Sequence, residues 1–340
     1  MPHEGTQDQS RDAATDVRAG IDLDLTRDAL ASSTLNHGLL VLSDRWTVAV
    51  LLGAFLGVRR FDVWHERLGI PRPTLADRLK KLVELDLLRQ RQYQDRPPRH
   101  AYHLTSNGLK LYDHVLMIWS WERRFGTRAG SLPTQLRHAR CGHVFTPHLA
   151  CSACGEDVGI NDLHFTLNVN EALLARATAA GRTPRIAAVD GTRSGIGMGL
   201  GLRVDRWSLM IITAVLLGCR YFDQLAHVLG IASSVLARRL AGMVDTGLLT
   251  TAADRNDARR VIYRLTPASR ELFGYIVCFS SWASRFLLHQ PSSIAPTHHG
   301  CGKPFVGQVV CDQCREPLMP WDVQMEELPQ EAIGAVPAAA

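Results

Sequence analysis

The sequence predicts a mainly α chain with small β wings (α+β), built as two tandem copies of one domain, each followed by a small Cys/His-rich unit. Three observations carry that prediction. The chain repeats itself: Asp44-Arg45-Trp46 returns as Asp205-Arg206-Trp207, an offset of 161 residues. Gly57, Arg59, Phe61 and Asp62 return as Gly218, Arg220, Phe222 and Asp223, and Tyr102, Leu104, Thr105 and Trp121 as Tyr263, Leu265, Thr266 and Trp282. Such a spacing is several-fold longer than the period of a solenoid, so it marks two whole domains. Second, apolar residues in each copy follow helical spacing, interrupted by two strand-like runs. Third, a His-x2-Cys-x9-Cys-x2-Cys pattern follows each copy.

Taken in order, residues 1–33 are polar and poor in aromatics and read as a disordered arm. The first domain occupies 34–128. Arg45 to Leu56 reads as a buried helix and Phe61-Asp62-Val63-Trp64 starts a second. Gly69-Ile70-Pro71 is a tight break whose proline suits a first helical turn. In the third helix, Arg72 to Leu85, the residues Leu75, Leu79 and Leu82 share one inward face. Leu87–Gln94 and His100–Thr105 read as two strands joined by a stiff basic tip, Asp95 to Arg99. A last amphipathic helix runs from Ser106 to Phe125. Helix, helix, turn, helix, hairpin, helix is the order of a winged helix-turn-helix. A small Cys/His unit follows at 129–165, then a linker at 166–200 containing a short helix-like patch, Asn170 to Ala180. The second winged domain spans 201–289, its Cys/His unit 290–325, and a tail 326–340. Glycines 195, 197, 199 and 201 miss the spacing of a dinucleotide fingerprint and read as linker.

Bulk properties narrow the function classes. The chain has 340 residues, 46% hydrophobic and 21% charged, with net charge +5 and pI near 8.9. No run of about 18 apolar residues appears, so no membrane span is expected. The N-terminal sequence lacks the basic-then-apolar order of a secretory signal. The expected setting is cytoplasmic, on the nucleoid, where eight cysteines are reduced thiols or metal ligands rather than disulfides. No carboxylate pair, nucleophile–base set or phosphate loop stands out, so no enzyme is expected.

With the leucines inward, Arg72, Thr74, Arg78 and Lys81 fall on the outer part of the third helix, the part such folds insert into the major groove. Arginine there can bond guanine bidentately, and lysine neutralises phosphate. The hairpin adds Arg89, Arg91, Arg96, Arg99 and His100. The expected partner is therefore double-stranded DNA, against the plainer alternative of a solvated helix face. Copy two is thinner, with Ser233, Ser234, Arg238 and Arg239 on its third helix and Arg255, Arg259 and Arg260 in a proline-free wing. It reads either a different half-site or mainly phosphate.

His138, Cys141, Cys151 and Cys154 form one complete tetrahedral ligand set, and His298, Cys301, Cys311 and Cys314 a second. Two structural Zn2+ sites are expected, one per copy, closed to water. A zinc- or thiol-responsive switch is the alternative. Gly142, Gly155 and Gly302 follow their cysteines, as tight metal turns require, but Arg315 fills the fourth such place. His143, His148 and His299 are spare histidines, of which His299 is an alternative ligand to His298. Cys219 and Cys278 read as buried hydrophobes. Trp119, Trp121 and Trp282 read as core or interface, or as the lining of an effector pocket; a small-molecule effector is compatible with the chain.

The run DRW…LL…G..RF….HERLGI…TLADRLKKLVELDLL…PPRHAYHLTSNG…LYDHVLMIWSW resembles the HxlR family of bacterial transcription regulators, over about residues 40–125 and more weakly 201–286. The resemblance implies dimers whose terminal helices pack together and whose third helices read a pseudo-palindrome. Family members often carry a cysteine before the first core helix, whereas Leu39 to Arg45 has none here. They are usually single-domain, so one chain is expected to form the dimer within itself. The expected function is a sequence-specific regulator, by default a repressor, that self-associates through its terminal helices. The alternative is a protein-interaction scaffold of degenerate winged helices and zinc knuckles.

Overall fold

The computed structural model describes residues 21–96, 99–126, 135–179, 205–257 and 259–325. Two helices, α1 (Leu23–Ala31) and α2 (Thr34–Leu42), precede the first winged domain. They correct the expectation of a disordered arm for residues 23–33. Asp22 and Ser33 supply the N-caps, each accepting from a backbone amide of the first turn. Low aromatic content misled the sequence reading, because these helices bury Leu30, Leu35 and Leu39 against other elements rather than one another. Residues 1–20 of that arm, the glycines of the linker and the 326–340 tail lie outside the described residues.

Module one then follows the expected order. It comprises α3 (Arg45–Phe55), α4 (Phe61–Leu68), α5 (Arg72–Glu84), the wing strands β1 (Leu88–Gln94) and β2 (Arg99–Leu104), a single turn α6 (Ser106–Leu109) and α7 (Tyr112–Phe125). Asp44 caps α3 by accepting from the Thr47 amide, 3.2 Å away. The turn between α4 and α5 needs Gly69, whose φ of 60° is left-handed and costs a side-chain-bearing residue roughly 1 kcal/mol. Helix α5 buries Leu75, Leu79 and Leu82, and Trp64 of α4 is fully enclosed. Strands β1 and β2 pair antiparallel from Leu88↔Leu104 to Gln94↔Arg99, with an irregularity between Gln92 and Gln94.

Short strands β3 (Leu136–His138), β4 (Val144–Phe145), β5 (Pro147–Cys151) and β6 (Leu163–Leu167) come next, followed by α8 (Glu171–Ala179) at the helix-like patch. Module two repeats the plan with α9 (Arg206–Leu216), α10 (Phe222–Leu229), α11 (Ser233–Asp245), β7 (Leu249–Ala253), β8 (Val261–Leu265) and α12 (Pro267–Trp282). Helix α12 runs on into one π-helical turn, Ala283–Leu288. The chain closes with β9 (Ile294–His298), β10 (Gly307–Cys311) and β11 (Val323–Met325).

The two copies are joined about a local two-fold axis. Strands β5 and β10 are equivalent in the repeat and pair antiparallel with Leu149 opposite Val309, flanked by Cys151↔Gly307 and Pro147↔Cys311. Strand β6 pairs with β9 and β3 with β11, each strand of one copy matched to a strand of the other. Helices α7 and α12 pack along each other. There the His114 ring lies against that of its repeat equivalent Tyr275, tilted by 33° with centroids 3.9 Å apart. The indole contacts are reciprocal: Trp121 Nε1 donates to Ala268 O at 2.6 Å, and Trp282 Nε1 to Asn107 O at 3.1 Å. One hydrophobic core runs through both modules, and a second lies between the terminal helices and the small strands.

Helices α1 and α2 also belong to this union, because they lie on module two. Helix α1 packs on α10, and α2 on α12 and the π-turn. Gly38 is needed for that approach, since a Cβ there would sit 2.9 Å from Ala283 Cβ and from the Phe279 ring. Asn36 Oδ1 accepts from Arg206 at 2.8 and 3.0 Å, and Ser293 donates to Ala29 O at 2.7 Å.

Candidate metal centres and nucleic-acid interface

All eight expected metal ligands converge, but not in the expected sets. His138 and Cys141 of copy one meet Cys311 and Cys314 of copy two, while Cys151 and Cys154 of copy one meet His298 and Cys301 of copy two. The within-copy grouping is therefore overturned: each centre is shared between the copies. The strand pairing is the cause. Antiparallel β5 and β10 place Cys311 opposite Pro147 and Cys151 opposite Gly307, so each Cys-x2-Cys turn ends beside the other copy's His-x2-Cys turn. Sequence spacing is the same for both arrangements and cannot distinguish them.

The donor geometry fits a tetrahedral ion. In each set all ligand atoms lie within 4.8 Å of one another. His138 Nδ1 is 3.5 Å from Cys141 Sγ and 3.3 Å from Cys314 Sγ, and Cys141 Sγ is 3.9 Å from Cys311 Sγ. In the second set His298 Nδ1 is 3.4 Å from both Cys154 Sγ and Cys301 Sγ, and Cys151 Sγ is 4.0 Å from Cys301 Sγ. Metal–sulfur bonds of about 2.3 Å and metal–nitrogen bonds of about 2.0 Å in a tetrahedron require ligand separations of roughly 3.5–3.8 Å. His298 is buried and His299 exposed, which resolves the choice between them in favour of His298. His143 and His148 are exposed and stand outside both sets.

Backbone turns set the ligands. Gly142, Gly155 and Gly302 take φ values of 74°, 77° and 67°, and Arg315 takes 64°. A left-handed arginine is strained by roughly 1 kcal/mol. Its guanidinium offsets the strain by bonding Gly155 O at 2.9 Å and Asp157 at 2.7 Å, so it bridges the two Cys-x2-Cys turns. Next to the first centre, Arg140 pairs with Asp322 of the other copy at 3.4 Å. Cys219 and Cys278 lie in the core, and burial pushes the Cys219 thiol up to about 11 and the Cys278 thiol well above its ordinary value. Trp121 and Trp282 serve the interface, and Trp119 borders an apolar cleft with Leu52, Phe55 and Leu116.

The helix-turn-helix face differs from the sequence reading in detail. Arg78 is only 27% exposed and points back, its Nε bonding Asp44 at 2.9 Å; Arg239, 24% exposed, does the same to Asp205 at 3.1 Å. Lys81 donates to Val41 O at 2.5 Å, and Thr74 is half-buried. Arg78 and Arg239 thus tie α5 and α11 to the N-caps of α3 and α9, and Lys81 ties α5 to α2. The outer face of α5 is instead formed by Arg72, Pro73, Ala76, Asp77 and Lys80, and that of α11 by Ser233, Ser234, Ala237, Arg238 and Ala241. Lys80 and Asp77 were missed because three inward leucines define the buried stripe but not its flanks.

In the wings, Arg89, Arg91, Arg96 and Arg99 are exposed in module one, and Arg255, Arg259 and Arg260 in module two; Pro97 and Pro98 lie outside the described residues. Equivalent carboxylates hold different arginines. Asp62 takes Arg72 from α5 at 3.2 Å, whereas its counterpart Asp223 takes Arg260 from the wing at 3.0 Å. Arg260 also covers the Tyr221 ring at 3.9 Å. No single described helix is long and apolar enough to cross a membrane.

Comparison with known proteins identifies relatives of the two modules. A family model for an HxlR-like helix-turn-helix matches residues 41–129 and again 203–291, together just over half of the chain. The chain is similar to an uncharacterized HTH-type transcriptional regulator of Mycobacterium tuberculosis, 40% identical over 125 residues, which are 37% of this chain and 79% of that protein. A counterpart from Mycobacterium bovis is 39% identical over the same length and shares. A solved structure described as a candidate transcription factor of Pseudomonas aeruginosa shares 27% identity with a TM-score of 0.29, covering 38% of this chain and 90% of that one.

Proposed function

The chain belongs to the HxlR-like helix-turn-helix family, and on that premise we propose that it binds a two-part operator as a pseudo-dimer within one polypeptide and represses by occupying a promoter. It is a helix-turn-helix transcriptional regulator, a class without catalytic activity. The observation that carries the finer reading is the reciprocal pair of indole bonds, Trp121 to Ala268 and Trp282 to Asn107. Equivalent donors reach equivalent acceptors across the axis, so α5 and α11 are presented as two-fold mates. Two such helices enter successive major grooves about 34 Å apart. Wing arginines Arg96, Arg99 and Arg259 supply phosphate contacts and hence salt-sensitive affinity. Arg78, Arg239 and Lys81 act by fixing the third helices, while Arg72 and Arg238 face the duplex. The setting is the cytoplasm.

Zn2+ is the ion that the three-cysteine, one-histidine sets suit. When bound, it supplies a tetrahedral cross-link with no open position. His138, Cys141, Cys311 and Cys314 would hold one ion, and Cys151, Cys154, His298 and Cys301 the other. Each would join the copies rather than stabilise a separate knuckle.

The test is selection from a double-stranded genomic library by the metal-loaded chain, beside a variant carrying Arg72→Ala and Arg238→Ala. Enrichment of a two-part site that the variant loses supports the regulator. Failure of the folded, metal-loaded wild type to enrich any site points to the interaction scaffold, which the sparse cationic face of α11 would suit.

A further inference from the structure

Resting on the reading of this chain as a DNA-binding pseudo-dimer, we propose that its two recognition helices read unlike half-sites, with Asp77 and Arg238 as the residues that make them unlike. Helices α5 and α11 have the same length, 13 residues, and start from the same extended backbone, Pro71 at φ −54°, ψ 134° and Ala232 at φ −58°, ψ 135°. Both follow a left-handed glycine, bury the same three positions, and return an arginine to the N-cap aspartate. Equivalent positions on the two helices therefore meet DNA from equivalent directions.

What they offer there is different. The position of Asp77, 68% exposed, is held by Arg238 in module two, a reversal of charge. Arg72 is matched by Ser233, Pro73 by Ser234 and Lys80 by Ala241. The buried positions and the Arg78/Arg239 anchor kept their chemistry through the duplication, whereas four of the five outer positions changed and Ala76 alone returned, as Ala237. Arg238 has no anionic partner among the described residues, so its guanidinium fork is available to guanine O6 and N7. Asp77 gives one oxygen to Arg78 at 2.5 Å. Its remaining lone pairs accept from the cytosine amino group and repel the two guanine acceptors.

The wings divide the work in a complementary way. Module one carries Arg89 and Arg91 on β1, where module two has Thr250 and Ala252. Module one thus adds two wing cations that module two lacks, while its helix carries an acidic side chain where module two carries a cationic one. A single-module homodimer has two identical outer faces and reads a palindrome; this chain has two faces and an operator with guanine facing Arg238 and cytosine at the matching place in the other half.

The experiment is selection from a random double-stranded DNA library with the full metal-loaded chain, comparing wild type with Asp77→Arg, Arg238→Asp and Arg238→Gln; melting temperature and metal content are checked for each. Wild type is expected to enrich a bipartite site with unlike halves. Arg238→Asp and Arg238→Gln should lower the guanine preference in one half by ~5- to 150-fold and leave the other half intact. Asp77→Arg should make the halves alike at that one position. A wild-type palindrome with identical halves, or variants that weaken binding evenly without changing any base preference, overturns the inference while leaving the regulator reading in place. A folded wild type that enriches nothing removes both.

Discussion

Paired serine substitutions distinguish shared metal centres from centres confined to one copy. Cys141 and Cys311 sit in the same centre, their sulfurs 3.9 Å apart though 170 positions separate them in the chain. Cys141 and Cys154 belong to one copy but to different centres. A structural zinc site is worth about 10–16 kcal/mol of apparent binding, so on an equal share one lost ligand in four costs ~2.5–4 kcal/mol, or about 10²–10³ in affinity. A chelator poised within that window empties a damaged centre and spares an intact one. Native mass spectrometry should then count two metals in the wild type, one in the Cys141→Ser/Cys311→Ser variant and none in Cys141→Ser/Cys154→Ser. The reverse order, with the first pair empty and the second retaining one, refutes the crossed arrangement. Closing a loop of 170 residues also limits the unfolded chain by at most about 5 kcal/mol in the entropic model, so chelation should lower the melting temperature of both modules together.

Four further outcomes follow. Asp44→Ala removes the α3 cap and the tie to Arg78; because that pair is partly exposed, the loss should be ~1–3 kcal/mol, read from chemical denaturation. Burial raises the Asp113 carboxyl to about 7, so the folded chain holds a proton there that the unfolded chain has already released above its ordinary value of 3.8; stability from this group is lost as pH rises from about 4 to 7. Asp113→Asn should accordingly raise the melting temperature at pH 8 and change it little at pH 4. Native metal-loaded protein should show six thiols newly reactive after chelation, with Cys219 and Cys278 reacting only on unfolding; a fast reaction of either in the native state contradicts their burial. Arg96→Ala and Arg99→Ala should each reduce the slope of log affinity against log salt by roughly 0.9, and an unchanged slope removes the wing from the phosphate contacts.

Much of the fold was legible because its signals are local. The Gly69 turn and the Leu75/Leu79/Leu82 stripe each act within one or two turns of chain, and the repeat supplied every element twice. Helices α1 and α2 were illegible for the opposite reason. Their apolar side chains are satisfied by α10, α12 and the π-turn, nearly 200 or more residues away. The ligand residues were found from spacing, since a chelating turn is local, but their partnership depends on the β5–β10 pairing. Arg78 and Arg239 show a third kind of limit: a cation flanking a buried stripe can face outward or fold back, and here Asp44 and Asp205 decide.

The side chains at the axis are unlike, and this has a consequence for the company the chain can keep. His114 lies on Tyr275, Leu149 faces Val309, and Arg315 reaches over Gly155. Asp113 has Gly274 as its counterpart, where a Cβ would fall 2.4 Å from Met117 Cε. Two copies of the first half brought together would set Asp113 where this chain has Gly274, so that Met117 must shift, and would leave Gly155 without its guanidinium bridge. Two copies of the second half would place a left-handed arginine in both Cys-x2-Cys turns. The axis surfaces of the two halves thus differ, so a pairing of two like halves would bury side chains other than those that meet within this chain.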